Sequence, residues 1–115
     1  MKIKSTKNTE HYIWGENCDG WHLAKSQNLS IIQERVPAGS SEIRHLHQRA
    51  EQFFFVLSGT ATLEIKGIEY QLHPEQGIHV PANTPHQLIN RGTEELIFLV
   101  TSTPPAKGDR VAVPN

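Results

Sequence analysis

From Leu29 onward the chain alternates short apolar runs with polar turns, and nowhere does it show the three-to-four spacing of an amphipathic helix of useful length. LSIIQERV, residues 29–36, is rich in β-branched residues and stops at Pro37-Ala38-Gly39, a turn signal. SEIRHLH (41–47) alternates, and QFFFVLSG (52–59) follows after a short polar connector. TATLEIKGIEYQL (60–72) reads as a hairpin: Leu63 and Ile65 alternate, Lys66-Gly67 turns, and Ile68, Tyr70 and Leu72 resume the alternation. GIHVP (77–81), HQLIN (86–90) and ELIFLVTS (95–102) complete the set, separated by ANTP and RGTE turns. About nine short strands at regular spacing predict an all-β sandwich or barrel.

FFFVL and LIFLV are apolar at consecutive positions, so both faces of those strands are expected to be covered. One face would line the barrel; the other would meet the N-terminal strand or a second subunit, which predicts a homodimer. Before the barrel, in residues 1–30, Tyr12, Trp14 and Trp21 flank the turn-rich GENCDG, a loop between two short strands. The tryptophans are expected to cap one open end of the core and hold the N-terminal strand down, with Trp14 or Trp21 as the alternative wall of a ligand pocket. Residues 31–102 form the barrel. Residues 103–115, TPPAKGDRVAVPN, lack the two-residue period and read as a surface tail in which Asp109 and Arg110 are a solvated pair.

The remaining bounds are set by composition. At 115 residues the chain is one domain's worth. With 11 basic and 12 acidic residues its formal charge is −1, which offers no electrostatic footprint for nucleic acid or an anionic membrane. A small-molecule partner remains. The longest apolar runs fall far short of the roughly 20 residues needed to span a bilayer. A lone cysteine, Cys18, and an opening without an apolar segment suggest a reducing, cytoplasmic home.

The chemistry is expected between Gly39 and Gly59, where His45 and His47 stand one residue apart before an aromatic run. On a strand, positions i and i+2 share a face, roughly 6.6 Å apart at about 3.3 Å per residue, so both rings can converge on one ion. An isolated HxH is more often a surface or core pair. Here a third histidine, His86, opens the strand after the ANTP turn, a strand expected to run antiparallel beside the one before it. Gly39, His45, His47 and Gly59 fall on the first motif of the cupin superfamily, and Pro81, His86 and Asn90 on the second. The chain resembles a small single-domain cupin of the conserved-barrel type, a double-stranded β-helix or jelly roll. The resemblance implies a divalent metal held inside the barrel, with His45, His47 and His86 as ligands.

Two positions depart from the motifs. The family's glutamate slot is occupied by Gln52, with Glu51 one residue earlier, and either spacing is permitted. Strand phase favours Gln52, which lies in line with Phe54 and Val56, while Glu51 shares its face with Phe53 and Phe55. Three imidazoles and an amide oxygen would leave a divalent site near +2 instead of +1, suited to Zn, Ni, Fe, Mn or Cu. Glu75 stands where the family has glycine, so the turn before Gly77 must be built differently, and Asn83 replaces the other motif glycine. His79, Phe54 and Trp21 are candidate pocket residues, with His79 a possible proton shuttle or extra ligand. His11, His22 and His73 read as surface or turn residues, and Tyr70, Arg35 and Gln33 reach a ligand only if their strands face inward. Two functions fit: a metal-dependent isomerase, lyase or dioxygenase, or a non-catalytic small-molecule or sugar-binding module, with or without metal.

Overall fold

The computed structural model describes residues 1–115 and contains strands but no helix. In chain order the strands are β1 (His11–Trp14), β2 (Cys18–Lys25), β3 (Ser30–Val36), β4 (His45–His47), β5 (Glu51–Ser58) and β6 (Ala61–Ile65). They continue as β7 (Ile68–Leu72), β8 (Gly77–Val80), β9 (His86–Ile89), β10 (Leu96–Thr103) and β11 (Arg110–Ala112). A six-stranded sheet runs β1-β2-β3-β10-β5-β8 and a five-stranded sheet runs β11-β4-β9-β6-β7. Every pairing is antiparallel. From β4 onward almost every connection crosses from one sheet to the other, which is the jelly-roll barrel that the cupin resemblance implies.

That crossing corrects one expectation. β9 does not run beside β8: β8 pairs with β5, while β9 pairs with β4 and β6. Residues 81–85 therefore carry the chain between sheets, and His86 is delivered opposite His45.

The core follows from strand parity. Leu96, Phe98 and Val100 of β10 face inward beside Val36 of β3, and Phe54 and Val56 of β5. Burial of each such side chain contributes roughly 1.5–3 kcal/mol. The outer face of β5 is less covered than its composition suggests, since Phe53 and Leu57 are 43% and 41% exposed. Along the same strands the inward row turns polar toward one end: Ser30 lies across from Ser102, and Ser102 across from Gln52. The core thus fills one end of the sandwich and a polar cavity opens at the other.

The motif positions have structural reasons. Gly59 has φ +85°, and a Cβ there would sit 2.6 Å from the Glu95 carbonyl oxygen, so only glycine fits against the backbone entering β10. Asn90 is fully buried, donating from Nδ2 to the carbonyls of Val36 and Glu94 and accepting at Oδ1 from the Gly92 amide. It shapes the turn into β10. Glu75 and Asn83 both take left-handed backbone, with φ 66° and 61°, and so occupy the glycine conformations without glycine. Residues 103–115 include β11, which pairs Arg110 with His47 and Ala112 with His45 and so forms the edge of the five-stranded sheet.

Candidate metal and ligand site

His45, His47 and His86 come together inside the barrel, all buried, with one ring nitrogen of each within 4.8 Å of the others. His45 and His47 project from β4 and His86 from the paired end of β9. Their ring centroids lie 4.9, 4.5 and 6.0 Å apart, and Phe54 packs edge-on against His86 at 5.8 Å.

Each ring is oriented from behind. His45 Nδ1 donates to the Ile43 carbonyl at 2.6 Å, His86 Nδ1 to the Thr84 carbonyl at 2.8 Å, and His47 Nδ1 to Asp109 Oδ1 at 2.8 Å. Carbonyl and carboxylate oxygens only accept, so the proton sits on Nδ1 in all three and Nε2 carries the free lone pair. His86 Nε2 is buried without a partner. Burial drives the His45 imidazolium down to about 3, with the Arg110, His86 and His47 charges acting in the same direction, and burial likewise lowers His86. His45 and His86 are therefore neutral imidazole donors.

Asp109 corrects the reading of a solvated pair. It is 2% exposed, and its Oδ2 accepts from the amides of Arg49 and Ala50 at 3.0 and 2.9 Å. Burial alone would raise its carboxyl, but the Ala50 amide, His47 and the Arg49 amide together hold it below the usual range. Nothing in the period of residues 103–115 marks this residue, because it acts from a loop just before a three-residue edge strand.

Gln52 is buried and lines the cavity with His45, His47 and Phe54. Its Nε2 donates to Ser102 Oγ at 2.9 Å, which leaves Oε1 buried and unpartnered. Glu51 points the other way, its side chain 55% exposed and paired with His79 at 2.8 Å. His79 stands across from Phe53 on the outer face of β8, and Trp21 packs at a tilt against His11 away from the cavity. Neither joins the histidines. The three free Nε2 atoms are a nitrogen donor set that suits a borderline divalent transition ion, and the unpartnered Gln52 Oε1 belongs to a residue lining the same cavity.

The cavity holds about 640 Å³. It is also lined by residues not anticipated as site residues, notably Glu34, Glu42, His22 and Arg110. Tyr12 donates to Glu34 Oε2 at 3.1 Å, and the Leu88 amide donates to Glu42 Oε1 at 2.9 Å. Desolvation pushes the Glu34 carboxyl up to about 7 against the Tyr12 hydrogen bond and the Arg110 charge. Desolvation and the neighbouring Glu34 push Glu42 up to about 8. Arg35, in contrast, pairs with Asp19 and Glu95 on the outer face, and Tyr70 is exposed.

A jelly-roll barrel with a convergent histidine cluster at its polar end defines the class as a small β-barrel protein with a candidate metal centre. The chain belongs to the cupin family: residues 32–102 match the cupin domain. It is similar to an uncharacterized protein of Methanocaldococcus jannaschii, 27% identical over 73% of this chain and 67% of that one. It is similar also to auxin-binding protein 1 of Arabidopsis thaliana, 35% identical over 70% of this chain but only 46% of that protein, so it spans under half the plant protein's length. In fold it matches the polyketide cyclase RemF of Streptomyces resistomycificus, with a TM-score of 0.86 over all of this chain and 87% of the other at 18% identity. No helix is long and apolar enough to cross a membrane.

Proposed function

We propose that this cupin is a metal-dependent enzyme that takes a compact, polar small molecule into the barrel and carries out isomerase- or lyase-type chemistry on it. The observation that carries this reading is the fixed tautomer of three buried histidines, whose Nε2 lone pairs are left free by three separate acceptors behind them. His45, His47 and His86 would hold a divalent transition ion, with Gln52 Oε1 as fourth donor. When bound, such an ion acts as a Lewis acid toward a carbonyl or hydroxyl oxygen of the substrate. The chain's own part is to exclude water with Phe54 and Val100, to orient the donors, and to present Glu34, Glu42 and Arg110 across the cavity. A volume of about 640 Å³ suits a small ligand.

A binding module is the second reading, favoured by the similarity to a plant protein named for binding auxin. Elemental analysis of protein purified without chelators, with an anomalous-scattering map at the three histidines, tests the metal. Turnover in a panel of small acids, sugars and diketones, lost with His47→Ala, distinguishes the enzyme; ligand-dependent melting shifts without turnover would favour the binder. The half-open outer face of β5 supports a homodimer, and light scattering that finds a monomer at working concentration would remove it.

A further inference from the structure

The cavity contains a second chemical station that the histidines do not use. Glu34 projects from β3 in the six-stranded sheet, and Glu42 is anchored to β9 of the five-stranded sheet through the Leu88 amide. Two carboxyls therefore reach one polar cavity from opposite walls.

We propose that Glu34 and Glu42 are a proton-transfer pair acting on substrates that carry a C–H bond next to a carbonyl, in particular α-hydroxy ketones and aldehydes. This deepens the isomerase reading and rests on a small molecule entering the barrel. The two carboxyls differ in their hydrogen bonds. Glu34 accepts from the Tyr12 phenol and Glu42 from the Leu88 amide, and Glu42, raised further by the neighbouring Glu34 charge, is the one that keeps its proton to higher pH. Glu34 is therefore the base and Glu42 the acid. Glu34 removes the α-proton, the C–H electron pair becomes the C=C bond of an enediol, and the carbonyl oxygen takes the Glu42 proton. In the return step Glu34 gives its proton to the former carbonyl carbon and Glu42 recovers one from the neighbouring hydroxyl. No electron or proton is consumed, and no oxidant is required, which sets this chemistry apart from a dioxygenase.

The groups facing the pair are Tyr12 of β1, Arg110 of β11, and Glu10, His22 and Lys25 along the same wall. Burial raises both carboxyls, Glu34 to about 7 and Glu42, which also feels the Glu34 charge, to about 8. The test uses protein as purified, with dihydroxyacetone as probe in D2O and proton NMR to follow loss of its α-protons. Expected are exchange above the buffer rate with a bell-shaped pH profile between about 7 and 8, and a loss of roughly 100-fold or more in Glu34→Gln with metal content unchanged. Carbon-13 spectra of carboxyl-labelled glutamate should show two groups titrating in that range, with Glu42 moving down in Glu34→Gln. Exchange within threefold of wild type in Glu34→Gln, exchange no faster than buffer, or both carboxyls titrating near 4.5 would each overturn the pair. A chain without metal that keeps the coupled titration would sink the metal reading and leave the pair standing.

Discussion

Replacing Asp109 by Asn isolates what the carboxylate behind His47 does. Asp109 uses one oxygen for His47 Nδ1 at 2.8 Å and the other for two backbone amides at 3.0 and 2.9 Å, so both oxygens are committed as acceptors. Asparagine has one oxygen. If it stays with the Arg49 and Ala50 amides, the NH2 faces His47, whose Nδ1 must then accept and whose proton moves to Nε2, the atom a metal needs. A hydrogen bond to a charged partner contributes about 1.5–3 kcal/mol. Loss of the second partner of a metal-binding histidine typically weakens affinity by about 10–100-fold, which agrees with that range. The expected result is a Zn dissociation constant raised by that factor in competition against a chromophoric chelator at pH 7.5, read beside the melting temperature of metal-free protein. An unchanged dissociation constant with a lowered melting temperature would show that Asp109 only tethers the C-terminal segment, and the tautomer reasoning would fail.

Gln52→Glu should tighten divalent-metal binding at least tenfold by calorimetry, because an anionic oxygen replaces a neutral one near three imidazoles; equal affinity would place Gln52 outside the coordination sphere. Gly20→Ala should destabilise the fold by about 1–3 kcal/mol in urea unfolding, since the new methyl group would overlap the Tyr12 ring. It should also displace the phenol from Glu34, and a crystal structure with the Tyr12 hydrogen bond intact would count against that. Glu42 has a folded-state value of about 8 against an ordinary 4.5, so the native state holds its proton more tightly than the unfolded chain. That stabilisation is complete below about 4.5 and is lost as pH rises to about 8. Glu42→Gln should therefore gain stability relative to wild type between pH 5 and pH 8.5, by about 2 kcal/mol once screening by cavity water is allowed for; parallel stability curves would refute it. His45 has the opposite sign: its value of about 3 against 6.5 means that metal-free protein loses stability as pH falls from 6.5 toward 3.

The strands, the hairpin at Lys66-Gly67 and the inward phase of Gln52 could be read from the two-residue period because those segments are regular and half-buried. Glu34 escaped because Ile31 and Ile32 are both apolar, which leaves the facing of LSIIQERV undetermined. Glu42 escaped for a sharper reason. With His45 and His47 inward, simple alternation puts Ile43 inward and Glu42 outward, yet Ile43 is 71% exposed and Glu42 lines the cavity. Residues 42–44 lie before β4 begins and are not extended strand, so parity does not carry back through them. His22 was read as a surface residue for a related reason: the β2–β3 ladder shifts register between His22 and Ala24. Asp109 depended on a contact spanning 62 residues, which no local pattern encodes.

The division between what the family match covers and what it leaves out has chemical content. Residues 32–102 contain all three histidines, Gln52, Glu34 and Glu42, the groups that would touch a metal or substrate. Burial in the barrel dominates their protonation states, and the groups that adjust them come partly from outside it. Asp109 fixes the His47 tautomer, Tyr12 stabilises the Glu34 carboxylate, and the Arg110 charge opposes protonation of His45 while favouring ionisation of Glu34 and Glu42. An identical barrel with other flanks would keep its ligands and their burial yet lose the Asp109 acceptor behind His47 and the Tyr12 and Arg110 groups that favour ionisation of Glu34. Fold alone therefore does not choose among reactions here. The choice is made by two short edge elements, β1 and the segment leading into β11, which bring a phenol, a carboxylate and a guanidinium to a cavity built by the strands between them.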